Sequence, residues 1–236
     1  MPFYTGLFGW NSDTNEDPQY GGYSIFSRNG KPIAGLGPQQ PGNPYGNVWT
    51  TYIASEDAEA TAAKAAEAGG QVMMPAMTVG DQGTMAILGR SRRRRHRGVA
   101  GRSARRIRPG RRTRRARLAR NAVAQLRGGA PLLRDVFGWT YQTLGDTDEF
   151  RYSQANLGDR TVAGIMDADS FLPEGVPSFW QFYVGVDDTD AAVAKVTELG
   201  GSIRREPEDT PFGRLASVAD PLGATFQITT HCSPDR

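Results

Sequence analysis

The 236-residue sequence predicts an α+β fold: tandem strand-helix-three-strand units forming curved mixed sheets, with a disordered or irregular Arg-rich insert at the centre. Three observations carry that expectation. The sequence repeats itself once at a nearly constant displacement, and each copy alternates strand-like and helix-like runs. Between the copies, seventeen of the 25 arginines crowd into residues 90–127, where no Asp, Glu or Lys occurs.

The repeat rests on short matched motifs, the usual mark of a duplicated unit. Phe8-Gly9-Trp10 returns as Phe137-Gly138-Trp139, and Ile33-Ala34-Gly35-Leu36 returns at the same displacement as Val162-Ala163-Gly164-Ile165. Glu56-Asp57 answers Asp187-Asp188, and Gly69-Gly70 answers Gly200-Gly201, both at a displacement longer by two. Gly83 and Gly213 fall midway between these spacings, as small loop insertions and deletions would cause.

Within each copy the elements follow in one order. Residues 49–54 and 180–186 are β-branched and aromatic, which predicts a strand. Asp57 and Asp188 then cap a helix and complement its dipole. In the second copy Ala192, Val193, Val196 and Leu199 recur at helical spacing, and Gly200-Gly201 stops the helix. A short strand at Ser202-Ile203-Arg204-Arg205, a Pro-containing loop, and strands over residues 214–218 and 225–229 complete the unit. Asp220-Pro221-Leu222-Gly223 supplies the hairpin turn between the last two.

Composition bounds the rest. The chain is 38% apolar and 9% aromatic, enough for a core. The formal charge of +3 is an average, because outside residues 90–127 only 11 basic residues face all 25 acidic ones. No run approaches the length of a membrane span, and Met1-Pro2-Phe3-Tyr4 lacks the basic and apolar regions of a secretory signal. A cytoplasmic protein with no membrane contact is expected. The single Cys232 excludes an intrachain disulfide and a multi-cysteine metal site.

The order of these motifs, ending in Ala219-Asp220-Pro221-Leu222-Gly223-Ala224, resembles the vicinal oxygen chelate superfamily of glyoxalase I, bleomycin-resistance proteins and extradiol dioxygenases. More narrowly it resembles two-domain glyoxalase-like proteins of high-GC bacteria, some labelled hydroxylases. The resemblance covers residues 3–88 and 132–230. It implies a first domain over residues 1–88, truncated at its start and lacking its last strand, and a second over 134–230 with a tail at 231–236. On this reading the third unit lacks its first strand and helix, and only the fourth, from about Pro177 to Thr230, is whole.

Residues 89–133 break the pattern and read better one base later. One permitted back-translation of residues 89–97 then gives Ala-Asp-Pro-Ala-Gly-Ala-Val-Ile, against Ala219-Asp220-Pro221-Leu222-Gly223-Ala224-Thr225-Phe226 in the intact copy. At the far end Leu132-Leu133 becomes Phe-Tyr, displaced from Phe3-Tyr4 by the same spacing that separates Phe8 from Phe137. The segment is therefore expected to be frameshifted and disordered. Missing strands leave open edges, which predicts poor solubility or self-association.

For chemistry, the resemblance implies paired sheets forming a bowl in which His, Glu or similar side chains hold a divalent metal. It places ligand positions at Gln181, Gln227 and Thr50, where neutral groups stand in poorly for imidazole and carboxylate. His96 lies in the arginine block and His231-Cys232 in the tail, too few donors for a closed zinc site. No metal and no cofactor are expected. Alternation puts Gln181, Tyr183 and Gly185 on one strand face; with Gln227 and Phe212 they suit a small, partly apolar organic ligand. Trp10 and Trp139 read as packing anchors, and Asp57, Asp188 and Asp190 as helix starts. Lyase-like or hydroxylase/dioxygenase-like activity is implied by the resemblance alone. Two alternatives are nonspecific nucleic-acid binding through the arginines, which would be steeply salt-dependent, and an inactive product of a damaged gene.

Overall fold

The computed structural model describes residues 2–39, 46–80, 82–90, 122–126, 131–148, 150–167 and 178–230. The expectations for His96, His231, Cys232 and most of the arginine block fall outside them. The first half contains α1 (Pro2–Phe8), β1 (Asn11–Thr14), β2 (Ser24–Arg28), β3 (Lys31–Leu36), α2 (Ala58–Glu67), β4 (Gly70–Val79) and β5 (Gly83–Arg90). The second contains β6 (Ala122–Leu126), α3 (Pro131–Phe137), β7 (Thr140–Asp146), β8 (Arg151–Leu157), β9 (Arg160–Asp167), β10 (Phe179–Val186), α4 (Thr189–Glu198), β11 (Ser202–Thr210), β12 (Gly213–Ala219) and β13 (Thr225–Thr230). The fold is α+β, as the sequence predicts. No helix among the described residues is long and apolar enough to cross a membrane.

The repeat is visible element by element. α1 and α3 begin at the spacing of the Phe-Gly-Trp motifs, and α2 and α4 at the slightly longer spacing of the Gly-Gly pairs. Each of the latter helices opens on an aspartate whose side chain accepts a backbone N–H, Asp57 from Ala60 and Asp188 from Ala191. Each stops at a left-handed glycine, Gly69 (φ 84°) and Gly200 (φ 82°), a conformation that other residues adopt at a cost. The buried helix positions match too: Ala62 and Ala65 in α2 stand where α4 has Val193 and Val196.

The described elements form two compact units. One holds α2, β4, β5 and α3; the other holds all the remaining elements. In the smaller unit β4 and β5 form an antiparallel pair, and Leu132 of α3 approaches Gly70 so closely that a methyl group there would meet it at 3.3 Å. In the larger unit β1-β2-β3 form one antiparallel sheet and eight strands form another, in the order β11-β12-β13-β10-β6-β9-β8-β7. That order is two copies of one unit back to back. Each copy has its first strand parallel to its last, β10 to β13 and β6 to β9, and the copies join through the antiparallel pair β10 and β6.

The core of the larger unit packs α1 and β2 against β10, β12, β13 and α4. Phe26, Val196, Val218, Phe226 and Ile228 are fully buried there. Gly201 leaves room for α1: a methyl group on it would meet Phe3 and Val196 at 2.8 Å. Thr189, at the start of α4, is almost fully buried with its hydroxyl satisfied twice. It donates to the Arg214 carbonyl at 2.8 Å and accepts from the Thr230 N–H at 2.9 Å, pinning the helix to β12 and β13.

Three sequence expectations need correction. Residues 49–54 form no strand; their counterpart β10 is hydrogen-bonded on both sides, by β13 and β6, whereas no strand pairs with 49–54 among the described residues. The third unit does have a first strand and a helix, because β6 lies between β10 and β9 and α3 follows it. β6 falls within the segment assigned to the frameshift, in an uncharged stretch, Ala122-Val123-Ala124-Gln125-Leu126. Finally, β11 continues through Pro207 instead of ending in a loop. It is an edge strand, where the missing proline N–H is tolerated, and its register slips between Arg205 and Glu208. β4 does the same around Pro75, slipping between Met74 and Met77.

Candidate functional site in the curved sheet

Along β10 and β13, Phe182, Val184, Phe226 and Ile228 enter the core. Strand alternation therefore turns Gln181, Tyr183 and Gly185, with Gln227 and Thr229, to the opposite face. Side chains paired across neighbouring strands share a face, so register extends the set. Ser217 aligns with Gln227, and Gln227 with Tyr183. On the other side of the junction Gln142 aligns with Gln154 and Gln154 with Gly164.

This face is hollow because the eight strands curl. The turn between β11 and β12 carries Phe212, and its ring lies 5.5 Å from Tyr152 of β8 and 6.2 Å from Phe150, although β13, β10, β6 and β9 separate β12 from β8 in the sheet. Phe150 and Tyr152 stack at 6.0 Å, which gives the rim an aromatic cluster. Tyr152 also lies over Gly164: a side chain at that glycine would collide with the phenol hydroxyl.

The electrostatics of the hollow are neutral. Gln227 is buried at 9% exposure, and its amide nitrogen donates to Ser217 Oγ at 2.9 Å. At the edge strand Arg205 aligns with Ser217 and forms an ion pair with Glu208 at 2.6 Å. The donor set at Gln181 and Gln227 is two amides, one already hydrogen-bonded, and the described residues contain no cluster of three or more His, Cys, Asp or Glu. Such donors do not fit a divalent ion, which needs convergent imidazole, carboxylate or thiolate ligands.

The structure thus brings Tyr183 and Gln227 side by side, places Gln181 two residues away on the same face, and sets Phe212 on the rim. Thr50 is exposed in an irregular segment of the first repeat. Sequence reasoning missed Tyr152, Gln154 and Ser217. The signal for Tyr152 was present: Tyr23 and Gly35 precede Tyr152 and Gly164 by the spacing of the repeat. Trp10 and Trp139 are both buried. A second hollow, of about 670 Å³, opens on the other side of β10 between α1, β3 and the start of α4. Packing residues such as Leu7, Trp10 and Val184 form much of its wall, and Arg28, Asp187, Asp188 and Lys195 supply its charged groups.

Comparison with known proteins gives consistent matches. The sequence profile of the Glyoxalase/Bleomycin resistance protein/Dioxygenase superfamily matches residues 1–93 and 118–228. The "Putative glyoxylase CFP32" of Mycobacterium tuberculosis (strain CDC 1551 / Oshkosh) is 36% identical over 240 residues, spanning 96% of this chain and 87% of that protein. The "Anthracycline biosynthesis protein DnrV" of Streptomyces peucetius is 33% identical over 243 residues, spanning 96% and 86%. Among solved structures, a Streptomyces coelicolor methylmalonyl-CoA epimerase overlaps 49% of this chain and 99% of its own, with 16% identity and a TM-score of 0.37.

Proposed function

Since the chain belongs to the glyoxalase/bleomycin resistance protein/dioxygenase superfamily, we propose that it binds a small, uncharged, partly aromatic organic molecule in the hollow of the eight-stranded sheet. The observation that carries this is the buried Gln227, held by Ser217 and aligned with Tyr183. A polar side chain kept inside a sheet face suits orientation of a ligand by a few placed hydrogen bonds within apolar walls. Phe150, Tyr152 and Phe212 supply the aromatic wall. The relative named for anthracycline biosynthesis supports an aromatic ligand, and the one named glyoxylase supports a carbonyl compound.

Phenols and amides aimed at a carbonyl oxygen can polarise it and stabilise developing negative charge. That is what these side chains can contribute to a lyase-like reaction. The test is a titration followed by tryptophan fluorescence. Uncharged 1,4-dihydroxyanthraquinone should bind saturably, anthraquinone-2-sulfonate more weakly, and Gln227→Leu should lose at least tenfold in affinity. Equal binding of both probes to parent and variant would refute the assignment.

A second reading has its own observation, the seventeen arginines of residues 90–127. They favour sequence-independent, salt-dependent binding of nucleic acid. Deleting residues 91–120, which spares β6, discriminates: loss of nucleic-acid retention with retained dye binding assigns the two properties to separate parts of the chain.

A further inference from the structure

We infer that the hollow behind β10, between α1, β3 and the start of α4, is a binding site of its own, and that it takes an anionic amphiphile: an apolar chain with a carboxylate head. Its volume of about 670 Å³ lies in the range of small-molecule sites. Phe182 and Val184, which line it, point away from the face of β10 that carries Gln181. The two hollows therefore use opposite faces of one strand.

The apolar wall is unfinished. Side chains in a core interdigitate and leave few gaps larger than a water molecule. Deeper in the same cluster Phe26, Phe226 and Ile228 are completely buried, whereas Leu7, Phe8, Ile33, Val186 and Ala192 pack against it and stay only partly buried. All five of the latter line the hollow. An apolar chain laid along them would complete their burial, and that removal of apolar surface from water is what would hold it.

The charged groups select the head. Arg28 ends β2 and pairs with Lys31 across a two-residue turn, Asn29-Gly30, in which both residues have positive φ (52° and 69°); the tight hairpin fixes the base of the arginine side chain beside the hollow. Lys195 follows Ala191 by four residues on α4, so both lie on the helix face that lines it. Arg28 and Lys195 are exposed, and neither forms an ion pair among the described residues. Of the two acids, Asp188 is engaged in capping α4, its carboxylate accepting the Ala191 N–H at 3.0 Å. Two cations with free donors thus face one uncommitted carboxylate, Asp187. The first turn of α4, which opens on the same hollow, adds partial positive charge. The balance favours an anion.

The experiment is calorimetric titration of the full chain with decanoate and with decyltrimethylammonium, which share a chain and differ in the sign of the head, both below their micelle concentrations. One decanoate per chain is expected, with the cationic amphiphile at least tenfold weaker. The double variant Arg28→Gln, Lys195→Gln, at two exposed positions, should lose about tenfold in decanoate affinity. Ala191→Leu narrows the hollow and should weaken both amphiphiles, with circular dichroism confirming that the variants are folded. Gln227→Leu and deletion of residues 91–120 should leave decanoate binding unchanged. Equal affinity for the two heads, no effect of the double variant, or no saturable binding overturns the assignment. So does loss of decanoate binding in Gln227→Leu, which would move the molecule to the concave face, or in the deletion, which would move it to the arginines. Binding of 1,4-dihydroxyanthraquinone to the parent is scored separately, so the two sites stand or fall independently.

Discussion

Replacing Tyr4 by Phe removes one oxygen atom and should make the larger unit's stability both lower and differently dependent on pH. The Tyr4 hydroxyl donates to Asp220 Oδ2 at 2.8 Å in a buried site, while Asp220 Oδ1 accepts the N–H groups of Leu222 and Ala224 at 2.9 and 2.8 Å. A hydrogen bond to a charged group contributes about 1.5–3 kcal/mol, and here its loss strands a buried acceptor. Tyr4→Phe should therefore destabilise by about 2 kcal/mol at pH 7.5. Burial, followed by the negative charge and hydrogen bond of Asp220, raises the Tyr4 pKa far above its ordinary value, with Trp49 opposing. The sign follows from linkage. With the folded pKa raised, the contribution is complete below the unfolded value near 10 and is lost as pH rises beyond it, by about 1.4 kcal/mol per pH unit. Urea unfolding of both proteins by tryptophan fluorescence should show a gap of about 2 kcal/mol at pH 7.5 that closes near pH 11.5. A gap under about 0.5 kcal/mol at pH 7.5, below any plausible worth of such a bond, or one that is constant to pH 11.5, would refute the role assigned to Tyr4.

Other outcomes are open to direct measurement. Thr189→Ala should lower unfolding free energy by about 1–3 kcal/mol, because it leaves the Thr230 N–H and the Arg214 carbonyl without their shared partner; thermal and urea unfolding read it. Gly164→Ala forces Tyr152 off the sheet face, so it should weaken binding of 1,4-dihydroxyanthraquinone at least tenfold, read by the same fluorescence titration. Ultraviolet titration at 295 nm should find Tyr23 ionising above the ordinary tyrosine value and moving back toward it in Tyr52→Phe. Sequencing of the coding DNA should reveal, one base out of phase over residues 89–133, a strand-turn-strand opening on Ala-Asp-Pro and a helix ending in Phe-Tyr; a second phase full of stop codons removes that explanation.

Much of the fold was legible because a duplication supplies its own control. Asp57 and Asp188, or Gly69 and Gly200, are weak signals singly, but their equal spacing fixed both helices and their stops. The strand face at Gln181 and Tyr183 followed from simple alternation, since the core partners Phe182 and Val184 sit between and beyond them. Register was not legible. Nothing local in the sequence says that Gln227 aligns with Tyr183 and Ser217, because pairing depends on which strands become neighbours. The error at residues 49–54 has the same origin: strand-forming residues become a strand only beside a partner. β6 escaped notice because the surrounding arginines dominate composition, whereas five uncharged and mostly apolar residues are enough to bridge β10 and β9.

The bond between Tyr4 and Asp220 also sets a schedule for synthesis. Its partners are 216 residues apart, so at roughly 5–20 residues per second the first aromatic cluster waits about 10–40 s for the chain that completes its packing. During that interval Phe3, Tyr4, Phe8 and Trp10, all part of or packed against the finished core, are exposed on a nascent chain. The same contact that locks the folded unit therefore leaves these aromatic side chains without their final partners until the last strands have been made.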